Sequence, residues 1–422
     1  MAKILLYSPD IVGHPRVYCR VIADVLSNAD CELVVAMGFT DGMGIEELPD
    51  LQPLMRRGSI RILDTRVYSR DTKQHLNAEE LVELQNKFKV DTTLFIEADK
   101  FNTEFTRIAA GQAPRLSGRN LGIFANTAEW YPGEDSFTGE RCRILASTLR
   151  TTIGNIKRAI FNRKQSLKYF YENILIGKSI LDEIFVKDER LATWRGPPVY
   201  WMPEISRSID TEPTAKDAAD FLSRKHELEI FLAANKSREP VLYFGDAAYY
   251  KGYDLFLQFI ASTPSTCAIH AGCTYDSQQY SYFQYDVNDL RIQLHNEGRL
   301  YETNTYVHTQ QLKELYFSMI RLYITTHRLA LSSATVIQAL ELGKPVLVPD
   351  RGLLGYRVRT NELGGVYEYG NLADLSEKAS RLLCSDLSQF SASTNAFWNR
   401  FSDKSIREFF MGRLLRSSTS HL

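Results

Sequence analysis

The chain has 422 residues, with 50 lysines and arginines against 51 aspartates and glutamates, a formal net charge of −1, and 44% hydrophobic residues. That length suits two or three domains that each bury a core, and the composition excludes a disordered or fibrous chain. The balanced charge leaves no basic excess to neutralise a nucleic-acid backbone, so no nucleic-acid partner is expected.

In chain order, the first element is the apolar run Ile4-Leu5-Leu6-Tyr7, of the kind found in buried parallel strands. It meets Ser8-Pro9-Asp10 before a signal-peptide apolar region can form, and no later apolar stretch approaches the ~20 residues of a membrane span. The six cysteines include no C-x-x-C pair and no companion histidines at zinc spacing, which fits reduced thiols and a cytoplasmic location. Gly13-His14-Pro15 follows, and Pro15 suits the first position of a helix, where its missing N–H costs nothing. Val17, Val21 and Val25 with Ile22 and Leu26 then place an apolar stripe at helical spacing. The segment Glu32 to Gly38 reads as the next strand, and Ile60–Leu63, Thr93–Ile96 and Leu121–Phe124 as further ones, with a helical pattern over Ala78–Phe88. Such alternation predicts a parallel sheet covered on both faces.

A basic segment follows at residues 139–170, with Arg141, Arg143, Arg150, Lys157, Arg158, Arg163, Lys164 and Lys168 interleaved with apolar residues. It offers a grip for an anionic acceptor or a peripheral contact with the inner face of a membrane, against the plainer reading of a solvated helix face. The strand–helix grammar restarts near residue 239. Val241–Gly245, Cys267–His270, Tyr301–Val307, Leu322–Thr325 and Pro345–Pro349 read as strands and Tyr253–Ile260 as a helix. The expected organisation is a Rossmann-like domain over 1–205, a second over 206–390, and aromatic-rich helices over 391–422 that pack back on the first. Two doubly wound α/β domains facing across a cleft would place ligands beyond the carboxyl ends of their strands.

The segment Ser332-Ser333-Ala334-Thr335-Val336-Ile337-Gln338-Ala339-Leu340-Glu341-Leu342-Gly343-Lys344-Pro345-Val346 resembles the carboxyl-terminal domain of the retaining family-4 nucleotide-sugar glycosyltransferases, which have the GT-B fold. Phe244-Gly245-Asp246 to Lys251-Gly252 is similar to that family's phosphate turn, and Gly13 stands where its first glycine-rich loop lies. The resemblance implies a donor domain over 206–390 and an acceptor domain over 1–205. It also implies transfer of a sugar from a nucleoside-diphosphate donor to a hydroxyl acceptor, without a cofactor. The chain departs from the family at four places. The paired glutamates fall on Ala330 and Gln338, the turn arginine on Asp246, and the amino-domain histidine near Ala125 or Asn126. These departures keep open a catalytically degenerate binding protein, or a nucleotide-sugar epimerase, of the same fold.

The residue types at these positions support a diphosphate site on their own terms. A helix amino terminus binds phosphate through its N–H groups and dipole, and Ser332, Ser333 and Thr335 add hydroxyls there, the alternative being plain capping. Lys251 offers a point charge to the leaving diphosphate six residues after Gly245, His327 follows the strand Leu322–Thr325 and is expected to face the same cleft, and Gln338 can hydrogen-bond a ribose hydroxyl. No clustered Asp-x-Asp is present, so no metal is expected. For the acceptor side, His14 is the candidate general base because its ordinary pKa suits proton abstraction at neutral pH. Glu129, in Thr127-Ala128-Glu129-Trp130-Tyr131, is a candidate carboxylate beside aromatics that could stack on a sugar. Glu97, Asp99, Glu134 and Asp135 follow strands in the same way.

Overall fold

The computed structural model describes residues 1–8, 14–27, 29–39, 51–56, 58, 60–67, 76–124, 177, 179–195, 198–205, 214–248, 251–273, 287–307, 309–328 and 332–415. The chain divides into two compact units, one of residues 1–130, 165–211 and 401–422, the other of 131–164 and 212–400.

The first unit runs β1 (Ala2–Ser8), α1 (His14–Leu26), β2 (Cys31–Met37), α2 (Gln52–Arg56), β3 (Ile60–Asp64), α3 (Ala78–Phe88), β4 (Thr92–Phe95), α4 (Asn102–Ala109), β5 (Arg119–Phe124), β6 (Glu183–Val186), α5 (Glu189–Arg195) and β7 (Val199–Trp201). Its strands form one seven-stranded sheet in the order β3-β2-β1-β4-β5-β6-β7, and every pairing is parallel. Strand order reverses between β1 and β4, which is where doubly wound sheets bind ligands. β1 ends at Ser8 beside that point, and α1 begins at His14. A capping box starts α3: Glu80 N donates to the Asn77 side chain, and Asn77 N to the Glu80 carboxylate.

The second unit runs α6 (Ala215–Ala234), β8 (Glu239–Phe244), α7 (Tyr253–Ser262), β9 (Thr266–Ala271), α8 (Val287–Asn296), β10 (Leu300–Glu302), α9 (Gln310–Ser318), β11 (Tyr323–Ile324), α10 (Ala334–Glu341), β12 (Val346–Pro349), α11 (Gly352–Asn361), β13 (Gly364–Tyr367), α12 (Leu372–Leu383) and α13 (Ser391–Asn399). Two three-stranded parallel sheets, β10-β9-β8 and β11-β12-β13, have their first strands β8 and β11 as neighbours. One core runs beneath both, from Val241, Tyr243 and Ala268 to Ile324, Leu347 and Tyr367. Taken side by side, these six strands follow the order of the first six strands of the first unit.

The remaining helix, α14 (Asp403–Leu414), belongs to the first unit. Ile406, Phe410 and Leu414 enter the core formed by Ile4, Leu6, Ile22, Leu33 and Phe185. Arg119 donates to the Arg413 carbonyl, and both guanidiniums reach the Glu183 carboxylate. The buried face of α1 is centred on Tyr18, Cys19, Ile22, Ala23 and Leu26, while Val17 and Val21 sit at its margin. Ile22, Val25 and Leu26 of the predicted stripe are in the core, and the buried face extends toward Tyr18, Cys19 and Ala23 rather than toward Val17 and Val21.

Three strand expectations need correction. The strand expected over Tyr301–Val307 ends at Glu302. Thr303 turns its hydroxyl to accept from Gly272 N at 3.1 Å, and Asn304 adopts φ 48°, which no strand can continue. β6 and β7 extend the first sheet beyond the predicted set, β7 with only three residues and β6 with an acidic residue, Glu183, opening a run of three apolar ones. β13 opens on Gly364-Gly365, residues that weaken any strand signal.

Candidate functional site

Two glycines with positive φ bracket the connection from β8 to α7. Gly245 has φ +106° and Gly252 φ +71°, conformations that L side chains rarely adopt. A Cβ on Gly245 would lie 2.8 Å from Lys251 Nζ, so the glycine lets the ammonium fold over the strand end. A Cβ on Gly252 would lie 2.0 Å from the Thr326 carbonyl oxygen, so the turn is pressed against the end of β11. Thr326 closes this contact by donating its hydroxyl to the Gly252 carbonyl at 2.8 Å. Burial lowers the pKa of Lys251, while the nearby Asp246 and Cys273 act to raise it.

Beyond β11 the chain places His327 next to this lysine. Burial, reinforced by the Lys251 charge, pushes the His327 imidazole down to about 3, so the ring is neutral at physiological pH. The Thr325 hydroxyl hydrogen-bonds its Nδ1, and with Nδ1 accepting, Nε2–H remains as a donor. Arg328 then turns inward and forms a two-pronged ion pair with Asp254, 2.7 and 2.6 Å, in the first turn of α7. Their side chains are only 5% and 1% exposed. A pair this deeply buried holds its geometry tightly, because losing either partner would strand a charge away from water. It fixes α7 to the end of β11.

The helix α10 begins at the same edge of the sheet. Its N-cap residue, Ser333, makes no side-chain capping bond. The Ser333 and Thr335 hydroxyls lie 2.9 Å apart, and Tyr323 donates its own hydroxyl to Thr335 at 2.9 Å. Ser332 accepts from the buried Arg357 at 2.8 Å. The hydroxyls expected to serve a ligand or a cap are therefore engaged with neighbouring side chains, and the first-turn amides of α10 receive no cap from Ser333. A helix start of that kind offers N–H groups and a partial positive charge to an anion. Gln338 stands on the second turn of α10, half-buried.

Gly245, Lys251 and His327 thus come together at adjoining strand ends, and Ser332, Ser333, Thr335 and Gln338 stand at the helix that follows β11. His14 is the first residue of α1. Its side chain lies outside the described residues, as do Gly13, Glu129, Ala330, Ala125, Asn126, Glu134, Asp135 and the basic segment 139–170. Glu97 pairs with Lys100 at 2.5 Å, one turn beyond β4. Sequence reading missed Arg328, Asp254 and Arg357. The first two are 74 positions apart, and a charged residue beside a predicted strand reads ordinarily as solvent-facing.

No protein-family model and no curated protein sequence matches the chain. Solved structures match it over nearly its whole length. HepE of Anabaena in complex with UDP is 13% identical with a TM-score of 0.61, covering 98% of this chain and 99% of that one. Sucrose-phosphate synthase of Thermosynechococcus elongatus is 15% identical with a TM-score of 0.59, covering 98% of each chain. An E. coli structure described as trehalose-6-phosphate bound with UDP-2-fluoro glucose is 13% identical with a TM-score of 0.56, covering 98% of this chain and 99% of that one. The chain has the α/β GT-B fold. Among the described residues, no helix is long and apolar enough to cross a membrane.

Proposed function

We propose that this chain is a glycosyltransferase that moves a hexosyl group from a nucleoside-diphosphate donor to a hydroxyl acceptor. One observation carries the reading: an ammonium and a neutral imidazole lie side by side past the ends of β8 and β11, and the helix α10 that follows β11 starts without a side-chain cap from Ser333. Together they can neutralise and hydrogen-bond a diphosphate as negative charge grows on it during departure. The cation is Lys251 itself, so the reading needs no metal. Fold neighbours whose descriptions name bound UDP or a UDP-sugar support the same class of donor. On the acceptor side the proposed base is His14, with Glu129 as the candidate carboxylate. The segment 139–170 is the proposed contact for an anionic acceptor or a membrane face. The family resemblance favours retention, the alanine at position 330 and the Gly13-His14 loop allow inversion, and the anomeric configuration of the product by NMR distinguishes them.

The test is release of UDP from a panel of UDP-sugars, measured with and without hydroxyl acceptors. Acceptor-dependent release supports transfer. Binding of UDP-sugars with no turnover under any acceptor would make the chain a binding protein, and acceptor-independent sugar conversion would make it an epimerase or hydrolase.

A further inference from the structure

A polar row crosses three strands of the second unit. The register pairs Tyr243 of β8 with His270 of β9, and His270 with Glu302 of β10. His270 is fully buried, and the Glu302 side chain is 4% exposed. Four donors converge on that carboxylate: Tyr253 Oη at 2.5 Å and His270 Nδ1 at 3.2 Å on Oε1, Arg291 Nε at 2.6 Å and His295 Nε2 at 2.8 Å on Oε2. Burial acts to raise the Glu302 pKa, but the hydrogen bonds outweigh it and hold the group well below the usual carboxylate range. Glu302 is therefore ionised and can only accept.

The other ring nitrogen of His270, Nε2, lies 3.1 Å from the Gly245 carbonyl oxygen. A carbonyl also can only accept. Both ring nitrogens of His270 therefore face groups that can only accept. The rings of Tyr243 and Tyr253 flank the imidazole, with centroids at 5.3 and 4.9 Å. A buried charge is costly to keep unless it is paired and hydrogen-bonded, and here both conditions are met.

The oxygen that His270 holds opens the turn that carries Lys251. Gly272 approaches it from the next strand so closely that a Cβ there would lie 2.1 Å away, leaving the carbonyl wedged between Gly272 and His270. In a trans peptide the N–H points opposite to the C=O. Holding the Gly245 oxygen against the sheet therefore turns the Asp246 amide away from it. Residue 246 is also where a carboxylate stands in place of the arginine of similar turns. We propose that His270, kept doubly protonated by Glu302, is the positioning residue of this turn: it directs the Asp246 N–H toward the donor diphosphate and places a positive charge behind it. The inference rests on the nucleoside-diphosphate reading of the site.

The experiment measures UDP and uridine dissociation constants for wild type and for Glu302→Gln, together with ¹⁵N spectra of the His270 ring. In the wild type, both ring nitrogens should show the protonated signature at neutral pH, with or without UDP. In Glu302→Gln one nitrogen should lose its hydrogen, and UDP affinity should fall about ten- to a hundredfold, the scale of one charge-assisted hydrogen bond. Uridine affinity should stay within about twofold. Should Glu302→Gln fail to fold, His270→Gln keeps a donor for the Gly245 carbonyl without the charge and should lose UDP affinity selectively. A neutral His270 in the wild type, or equal losses for UDP and uridine, would overturn the positioning role. A wild-type protein that does not bind UDP would instead overturn the donor-site reading on which that role rests.

Discussion

Replacing Gly252 by alanine perturbs the candidate site through backbone geometry alone. The residue has φ +71°, and its added Cβ would meet the Thr326 carbonyl oxygen at 2.0 Å and its carbon at 2.8 Å. The left-handed conformation itself costs an L residue about 1–2 kcal/mol. The clash is with backbone rather than with the tip of a flexible side chain, so the turn or the end of β11 must move by more than an ångström. Overpacking of that kind adds about 1–3 kcal/mol, for a total of about 2–5 kcal/mol. Gly298 supplies the control: its φ is +66° and nothing lies within 4 Å of its added Cβ, so only the conformational cost applies. Urea unfolding of both variants should show Gly252→Ala losing clearly more stability than Gly298→Ala. UDP affinity should fall only in the Gly252 variant, because Lys251 moves with the turn. Equal losses of stability would refute the claim that the turn is pressed on β11.

Three further outcomes follow from the site. Lys251→Ala should weaken UDP binding about tenfold or more, the scale of a hydrogen bond to a charged group, while leaving uridine binding nearly unchanged; equal losses in titration calorimetry would remove the lysine from the phosphate contact. His14→Gln should lower turnover on the order of 10²–10⁴ with little change in UDP affinity, the contribution of one positioned base. Full activity, or retained anomeric configuration in the product by NMR, would sink an inverting role for it. His327 has its folded pKa pushed from 6.5 to about 3, so the unfolded chain takes up its proton first as pH falls. Stability should therefore decline between about pH 6.5 and pH 3 more steeply in wild type than in His327→Asn, and parallel curves would refute the assignment.

Most of the strands that were readable are buried on both faces, although β3 was legible with Arg61 exposed and β6, opened by Glu183, was not. β1, β2, β9 and β12 each hold at least four fully buried residues in a row, and burial on both sides demands an unbroken apolar run. β7 has only three residues and β13 opens on two glycines, so neither presents a pattern to detect. At the site, the six-residue spacing from Gly245 to Lys251 was visible, but the reason for it was not. Lys251 needs the glycine six positions back beneath its ammonium, and Gly252 needs the Thr326 carbonyl beside it, a contact between segments about 75 positions apart. The serine and threonine hydroxyls at α10 show the opposite limit. Their identity marks a helix start, but Tyr323 and Arg357 capture them, and only packing decides where a hydroxyl points. The row from His270 to Glu302 depends on strand register, which no local pattern encodes.

The helix α14 imposes an order of events on synthesis. Arg119 finds its partner carbonyl on Arg413, 294 positions further along the chain. While a ribosome is still making the second unit, every strand of the first has been synthesised, but the helix whose Ile406, Phe410 and Leu414 complete its core has not. Domains usually complete themselves in the order they are made. Here the earlier-made unit can close only after the later-made one has left the ribosome, so the exposed apolar face must survive the translation of some two hundred residues. A nascent chain of this design would be most vulnerable to aggregation during that interval, and a chaperone that shields the bare face would act on an unfinished protein rather than on a misfolded one.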